Sequence, residues 1–303
     1  MSQSSNTHNL LKEKKISLIG AHTESLSEAL LKRGYKTDIL PITHFPSFKR
    51  IKDSEIILGA YFHTSWPWFV LSKLKGKKTI CHWIGSDSLL AVQNWRRKLQ
   101  TKIFTKFVDL HISVSNRIKE ELDEMGIEST VLFHGSDIEP EEVSLPKKLG
   151  VLVYFIEGRE KLYGLERVIE ISKKLQDVAF YFVGHFNPDN FTQIYKHNNL
   201  YFIGFTDLKE LWPKISVIVR MTEHDGFPKI ILEAYAKGRY VIHNYPLPGV
   251  ILCQTNDDVI VELKKLQKTD TINTEGLEIF KNEFHYDNFL KKFDELCMSL
   301  FEK

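Results

Sequence analysis

The chain has 303 residues, which is enough for two domains of about 150 residues each. It carries 41 Lys and Arg against 39 Asp and Glu, so its net charge of +2 excludes the strongly basic balance of a dedicated nucleic-acid-binding domain. With 43% hydrophobic and 26% charged residues, the composition is typical of a folded globular protein. The sequence shows neither an apolar run of about 18 residues nor a signal-peptide core. Three scattered cysteines without metal-ligand spacing favour a reducing compartment, so we expect a soluble, cytoplasmic protein of two domains.

Short apolar strands alternate with helical patterns through the first half of the chain. Strands are predicted at 16–20, 36–40, 54–61, 77–85, 108–114 and 129–135. Helices are predicted at 25–34, after the loop that precedes Pro67, at 89–107 and at 115–126. Strands that alternate with helices favour a parallel sheet covered on both faces.

A charged, proline-bearing segment without periodicity follows at 138–150, and the alternation then starts again. Strands are predicted at 151–158, 178–184, 200–204, 215–220 and 240–244, and helices at 165–176, 190–198, 207–213, 229–238, 259–267 and 286–301. We therefore expect an α/β fold of two doubly wound, Rossmann-like domains facing a central cleft. Residues 1–145 would form the first and 146–285 the second, with the last helix, about 286–303, packing back on the first. Ligands of such sheets bind at the carboxyl ends of the strands.

The most informative segment is 220–244, where a predicted strand ends near Arg220 and a helix begins near Pro228. A helix start offers backbone N–H groups and a positive dipole end to an anion such as a diphosphate. Gly226 in the intervening loop permits close approach by a ligand. Glu233, eight residues after Asp225, can accept hydrogen bonds from ribose hydroxyls.

The residues Asp225-Gly226-Phe227-Pro228, followed by Glu233-Ala234-Tyr235-Ala236-Lys237-Gly238, resemble the signature of retaining GT-B glycosyltransferases of group 1, or family 4. The resemblance implies transfer of a hexose-type sugar from a nucleotide-diphosphate sugar to a saccharide or lipid-linked acceptor, in glycan, polysaccharide or glycolipid biosynthesis. It gives Asp225 a catalytic role beside the donor sugar. The family usually has Glu there, so the shorter Asp225 must lie closer or share its role with His224.

Further donor-site candidates come from the start of the second domain. The resemblance implies that an Arg and a Lys neutralise the departing diphosphate, and Arg159 matches that Arg. Tyr163 stands where the Lys is usual, which leaves Lys161 as a substitute; solvated surface charge is the alternative for both cations. Gly184 resembles the glycine that flanks the nucleotide base.

In the first domain, two loops carry the acceptor-side candidates. The first βα turn contributes Gly20 and His22, and the loop after the strand at 77–85 contributes Ser86. His82 matches a histidine that often contacts the reacting sugar in the family, although a packed core histidine is the alternative. Asp87 would act as general base if the reaction inverted the anomeric configuration.

No cofactor or metal ion is expected, because no Asp-x-Asp motif or His/Asp cluster has metal-ligand spacing. The charge of the leaving group would then be met by Arg159, Lys161 and the helix start. The departures at Asp225 and Tyr163 leave open a nucleotide-sugar-binding protein with impaired catalysis. A Rossmann dehydrogenase is excluded, because no G-x-G-x-x-G follows the first strand.

A basic stretch with interleaved aromatic residues spans 73–106. Its aromatic members and near neighbours are Trp66, Trp68, Phe69, Trp83, Trp95, Phe104 and Phe107. Cationic and aromatic side chains together suit anionic lipid headgroups, which predicts peripheral association with the inner face of the plasma membrane. The alternative is a solvated helix face over buried aromatic residues.

Overall fold

The computed structural model describes residues 11–21, 23–42 and 46–302. The chain forms two compact units, one of residues 1–137 with 286–303 and the other of residues 138–285. The change from the first unit to the second falls in the segment that joins the last strand of one sheet to the first strand of the next.

The first unit is built on a six-stranded parallel sheet with the strand order β2-β1-β3-β4-β5-β6. Its strands are β1 (Lys15–Gly20), β2 (Lys36–Ile39), β3 (Ile56–Ala60), β4 (Lys78–Trp83), β5 (Leu110–Ser113) and β6 (Thr130–Val131). Its helices up to β6 are α1 (Thr23–Lys32), α2 (Phe48–Ile51), α3 (Phe62–Leu74), α4 (Ser86–Gln93), α5 (Trp95–Phe104) and α6 (Asn116–Glu124). The central strands are apolar on both faces because helices cover both sides.

The helix predicted at 89–107 is two helices, α4 and α5, separated at Asn94. The backbone of Asn94 is extended, and its side chain accepts hydrogen bonds from the N–H groups of Arg96 (3.0 Å) and Arg97 (3.2 Å). An asparagine that caps one helix in this way ends the preceding one, because its own backbone leaves the helical region.

The second unit contains a second six-stranded parallel sheet, in the order β12-β11-β10-β7-β8-β9. The strands are β7 (Gly150–Tyr154), β8 (Ala179–Val183), β9 (Leu200–Gly204), β10 (Val217–Arg220), β11 (Tyr240–His243) and β12 (Ile251–Leu252). The helices are α7 (Leu165–Lys174), α8 (Pro188–Thr192), α9 (Lys229–Ala236), α10 (Asn256–Leu266) and α11 (Thr274–Ile279), which continues into a π-helical turn, Phe280–Phe284. The strand order reverses between β7 and β10, which is where a doubly wound sheet binds its ligand.

The last helix, α12 (Tyr286–Met298), belongs to the core of the first unit. Its Phe289 and Phe293 are buried in one cluster with Ile16 of β1. The Tyr35 hydroxyl bonds both carboxylate oxygens of the buried Asp294, at 2.7 and 2.6 Å. None of the helices in the described ranges is both long and apolar enough to cross a membrane.

Candidate functional site

Two glycines bring the loops at the reversal point of the second sheet into direct contact. Gly164 has φ +68°, and a Cβ there would lie 2.0 Å from the carbonyl oxygen of Met221. Gly184 has φ +134°, and its Cβ would lie 1.9 Å from the carbonyl oxygen of Phe155. Only glycine permits both the backbone conformation and the approach. The loops after β7 and β10 therefore lie together, and with them the predicted donor-site segments.

Arg220 is the last residue of β10, and its guanidinium lies only 4% exposed beneath these loops. Its Nε donates to Asp225 Oδ2 at 2.9 Å, and a second guanidinium nitrogen contacts the same oxygen. His243, the last residue of β11, places Nε2 3.7 Å from that oxygen. The backbone N–H of Tyr245 donates to His243 Nδ1 at 2.8 Å, so a neutral His243 carries its proton on Nε2, toward Asp225.

This pairing fixes the charge of Asp225. Burial acts to raise the pKa of its carboxyl group, but the positive charge of Arg220 and the hydrogen bonds from His243 and Arg220 hold that pKa well below its ordinary value. The other carboxylate oxygen accepts the N–H of Gly226 at 3.1 Å. Asp225 is therefore a fully ionised carboxylate at neutral pH, held in one orientation by its neighbours.

Two tyrosine rings lie beside the same guanidinium. The ring centres of Tyr154 and Tyr163 are 5.9 and 5.7 Å from Cζ of Arg220, within cation–π range. Burial raises the pKa of both phenols, and the charges of Arg220 and Arg159 act in the opposite direction. Nη1 of Arg220 is buried and has no hydrogen-bond partner among the described residues. One nitrogen of the buried guanidinium, Nη1, can therefore still donate a hydrogen bond to a ligand at the reversal point of the sheet.

The two cations predicted for the leaving group lie in the loop between β7 and α7. Arg159 is exposed, and its charge acts on the pKa of Tyr154 and Tyr163. Lys161 Nζ is 3.5 Å from Glu223 Oε1, and both side chains are largely exposed. An exposed ion pair of this kind contributes little to stability, so Lys161 can be displaced toward an anion at small cost.

Helix α9 begins directly after Pro228, as the motif predicts. Phe227 is buried against Phe284, with ring centroids 4.9 Å apart, which anchors the start of the helix. Glu233 lies half-buried one turn after Lys229. Burial raises the pKa of Glu233, which the charge of Lys229 opposes, while burial lowers the pKa of Lys229.

Asn244 holds the loop after β10 in place. Its Oδ1 accepts the N–H of Thr222 at 3.0 Å, and its Nδ2 donates to the Thr222 carbonyl at 2.7 Å. The Tyr245 hydroxyl donates to the carbonyl of Glu223. His224, in the same loop, is half-buried. These contacts fix the part of the loop that directly precedes Asp225.

Sequence reasoning missed Tyr154, His243 and Asn244. Each ends or directly follows a strand of the second sheet, so each lies at its carboxyl edge. Of the three, only Asn244 ends a predicted strand, because the strands predicted at 151–158 and 240–244 run past the observed ends at Tyr154 and His243. Parallel strands place their carboxyl ends at one edge, so the polar residues near each predicted strand end are the signal that could have found them.

In the first unit, two acceptor-side candidates lie at the carboxyl edge of the sheet. Gly20 ends β1 with φ +109°, and a Cβ there would lie 1.6 Å from the carbonyl oxygen of Ala60 at the end of β3. Ser86 is exposed as the first residue of α4. The third candidate of this set, His22, lies outside the described residues.

His82 lies near the end of β4, and burial lowers its pKa to about 4, so its imidazole is neutral at pH 7. Its ring meets that of His134 edge-on, with centroids 5.1 Å apart. His82 Nε2 is buried without a hydrogen-bond partner in the described part of the chain. A buried polar atom of this kind is uncommon and fits a group that meets a ligand.

Asp87 does not fit the general base considered for an inverting reaction. It is fully buried, and its Oδ2 accepts the N–H of Phe62 at 3.0 Å. Its Oδ1 accepts three further backbone N–H groups, those of Ile84, Gly85 and Ser88. Both oxygens therefore shape the loop that begins α4, which gives Asp87 a structural role, and its action as a general base stays a prediction.

The described residues contain no group of three or more His, Cys, Asp or Glu side chains that could hold a metal ion. No protein-family model matches the sequence, and no curated protein matches it either. The comparison with known proteins therefore rests on the fold alone.

The two doubly wound parallel sheets, with their reversal points and terminal helix, define the GT-B fold, which confirms the α/β class and Rossmann-like units expected from the sequence. The chain is similar to HepE of Anabaena, solved in complex with UDP and glucose, at 14% identity over 94% of this chain and 100% of that one, with a TM-score of 0.72. It is similar to sucrose-phosphate synthase from Thermosynechococcus elongatus at 15% identity, over 95% and 99% of the two chains, with a TM-score of 0.75. A lipopolysaccharide outer core galactosyltransferase, WaaB, gives 12% identity, 94% and 99% coverage and a TM-score of 0.71.

Proposed function

We propose that the protein is a glycosyltransferase that moves a hexose-type sugar from a nucleotide-diphosphate sugar to a saccharide or lipid-linked acceptor, with retention and without a metal ion. The observation that carries this proposal is the group at the reversal point of the second sheet. There the buried Arg220 pairs with the partly buried Asp225, close in the chain to the start of α9, and its guanidinium lies beside Tyr163 of the loop that carries Arg159. Cations, a fixed carboxylate and a helix start together suit a sugar diphosphate.

In this proposal the diphosphate lies between the helix start at Pro228 and the loop that carries Arg159 and Lys161. These two exposed cations and the dipole of α9 meet the negative charge that develops on the leaving group. The half-buried carboxylate of Glu233 accepts hydrogen bonds from the ribose hydroxyls, and the loop around Gly184 flanks the nucleotide base. Charge stabilisation of this kind replaces the metal ion that other transferases use.

Asp225 acts on the donor sugar in the same reaction. The anomeric carbon gains positive charge in an oxocarbenium-like transition state, which a fixed carboxylate stabilises. Arg220 and His243 orient that carboxylate and keep it ionised. Retention by attack from the leaving-group face requires positioning of the acceptor rather than a protein nucleophile. With Asp87 occupied by backbone N–H groups, the described residues give less support to the inverting alternative.

The first unit supplies the acceptor side in this proposal. His82 offers a neutral imidazole whose Nε2 lacks a partner among the described side chains, and a neutral imidazole can exchange a hydrogen bond with a sugar hydroxyl. All three cysteines of the chain are buried free thiols, which suits the cytoplasm that we propose as its location. The similarity to HepE bound to UDP and glucose supports a uridine nucleotide as the first donor to test.

The proposal is tested by thermal shift with UDP, GDP, ADP and their glucose derivatives. A ligand at about 100 times its dissociation constant raises the free energy of unfolding by about 2.7 kcal/mol, which is readily measured. We expect one nucleotide to raise the Tm of the native protein and of the control variant Glu170→Gln, whose side chain lies on the outside of α7. In Glu233→Gln the shift becomes smaller because the ribose loses a charged acceptor. If no nucleotide shifts the native protein, the donor site is wrongly assigned.

Turnover distinguishes the enzyme from a binding protein with impaired catalysis. We expect release of the nucleotide diphosphate from the donor that binds, even by slow hydrolysis, and a much lower rate in Asp225→Asn. The anomeric configuration of the product, measured by NMR, tests retention. Binding without any release from any donor would favour the binding protein instead.

A further inference from the structure

Helix α5 carries an apolar stripe on its outward face. Trp95, Leu99 and Ile103 follow each other at four-residue spacing and are 70, 52 and 47% exposed. Thr101, on the opposite side of the helix, is fully buried. A surface helix of a globular protein normally turns its apolar stripe to the core, whereas α5 turns its apolar stripe to the solvent. Val92, at the end of α4, is exposed as well.

Basic side chains border this stripe. At 100° per residue, Arg96 and Lys102 fall about 60° to either side of Leu99, and Lys98 lies further round on the side of Lys102. All three are exposed. No acidic residue occurs between Ser88 and Val108. The surface of α5 is therefore apolar along its middle and cationic along its edges.

The inner face of α5 is fixed, so this exposure is built into the fold. Phe104 stacks on Trp66 of α3, with ring centroids 3.8 Å apart. The hydroxyl of Thr105 donates to the carbonyl of Thr101 at 2.8 Å, and Asn94 caps the other end. A helix held on one side in this way cannot rotate its stripe into the core.

We propose that α5 docks on an anionic lipid surface, lying in the plane of the headgroups with its apolar stripe inserted. Trp is favoured at the level of the headgroups, and Lys and Arg reach from a buried stem to the phosphates. A protein partner fits less well, because lysine is depleted in protein–protein interfaces while this stripe is bordered by lysines. The match is one of charge: a cationic rim around an apolar stripe is the pattern of interfacial helices that bind anionic lipid.

The structure narrows the contact from the whole stretch at 73–106 to one helix. Three of the aromatic residues considered with that stretch are buried in the core: Trp83 within it, and Trp68 and Phe69 shortly before it. Trp95 is by far the most exposed of the five tryptophans, so it reports selectively on contact with lipid. Docking of this kind goes beyond the proposed sugar transfer and does not depend on it.

The test is binding of the full chain to vesicles of phosphatidylcholine, with and without phosphatidylglycerol. We expect salt-sensitive cosedimentation with the anionic vesicles and a blue shift of tryptophan fluorescence that is absent from Trp95→Phe. The variant Arg96→Gln/Lys98→Gln/Lys102→Gln should bind the anionic vesicles on the order of 100-fold more weakly, since each basic residue near the surface contributes about a factor of five. The variant Trp95→Ser/Leu99→Ser/Ile103→Ser should lose the interaction.

A matched control removes the same charge elsewhere in the first unit. Lys49, Arg50 and Lys52 are exposed on and after α2, and their triple replacement by Gln should leave vesicle binding within about threefold of the native protein. Equal binding to neutral and anionic vesicles, or unchanged binding by the α5 variants, would overturn the proposal. So would an oligomer in solution that the serine variant dissociates while no vesicle binds, because the stripe would then join copies of the chain. A far-UV circular dichroism spectrum and a Tm equal to those of the native protein show that each variant is folded.

Discussion

At the residue scale, the position and charge of Asp225 follow from its contacts within the loop after β10. The guanidinium of Arg220, at the end of the strand that leads into this loop, fixes one carboxylate oxygen, while the N–H of Gly226 fixes the other. The loop itself is held by Asn244. The carboxylate therefore owes its position to the loop and its charge to Arg220.

We predict that Asp225→Asn lowers the free energy of unfolding by about 3 kcal/mol at pH 7, because it leaves a buried guanidinium without its charged partner. The folded-state pKa of Asp225 lies below its unfolded value. Its stabilisation is thus complete above the unfolded pKa of about 4 and is lost progressively as the pH falls below that value. Urea unfolding of both proteins between pH 7 and pH 3 should show a difference that shrinks only below about pH 4. The exposed Asp270→Asn should show no such difference; a pH-independent loss in Asp225→Asn would contradict the assignment.

How far the sequence predicts the site depends on whether its residues are contiguous. Asp225 to Glu233 lie in one motif, so pattern and spacing identify them together. Tyr154 and His243 are brought to Arg220 by strand pairing across the sheet, which local patterns do not reveal. Asp87 looks like a loop carboxylate in sequence, but at the start of α4 its side chain turns back to its own backbone N–H groups.

At the element scale, the sequence predicts strands better than helix ends. The strands of the second unit are short runs of aliphatic and aromatic residues, and all the strands expected there are present. The helix expected at 207–213 is instead two single 3₁₀ turns, Leu208–Glu210 and Trp212–Lys214, because Pro213 cannot donate the N–H that a longer helix needs. The break at Asn94 likewise follows from a cap that outweighs helical periodicity.

Two glycines in the loop between β7 and α7 allow the cost of backbone strain to be measured apart from the cost of a steric clash. Both have positive φ, but a Cβ on Gly158 would meet open space, whereas one on Gly164 would strike the Met221 carbonyl. We predict that Gly158→Ala lowers the free energy of unfolding by about 1 kcal/mol. Gly164→Ala should cost at least about 2 kcal/mol more, because the loops after β7 and β10 must move apart.

Urea denaturation measures both values, and nucleotide binding by thermal shift gives the functional consequence. Gly164→Ala should weaken nucleotide binding and Gly158→Ala should not, since only the first substitution displaces the segment that leads to Asp225. Equal effects of the two variants would mean that the contact with Met221 is not what positions these loops.

At the scale of the whole molecule, the net charge of +2 conceals a cationic, acid-free helix surface on the first unit and a partly buried, paired carboxylate in the second. The two units thus present different chemistry at surfaces that can be probed separately.

We predict that saturating UDP, or whichever nucleotide shifts the Tm, slows amide hydrogen exchange most strongly at 154–164 and 220–229. These segments flank the reversal point of the second sheet, and a ligand bound there suppresses their local opening by the free energy of binding. Anionic vesicles should instead protect α5, whose residues 95–104 lie in the first unit. Hydrogen-exchange mass spectrometry with each ligand alone and with both distinguishes the two maps. Strongest protection by the nucleotide in the first unit would contradict the donor-site assignment, whereas protection of α5 by neutral vesicles as well would contradict its preference for anionic lipid.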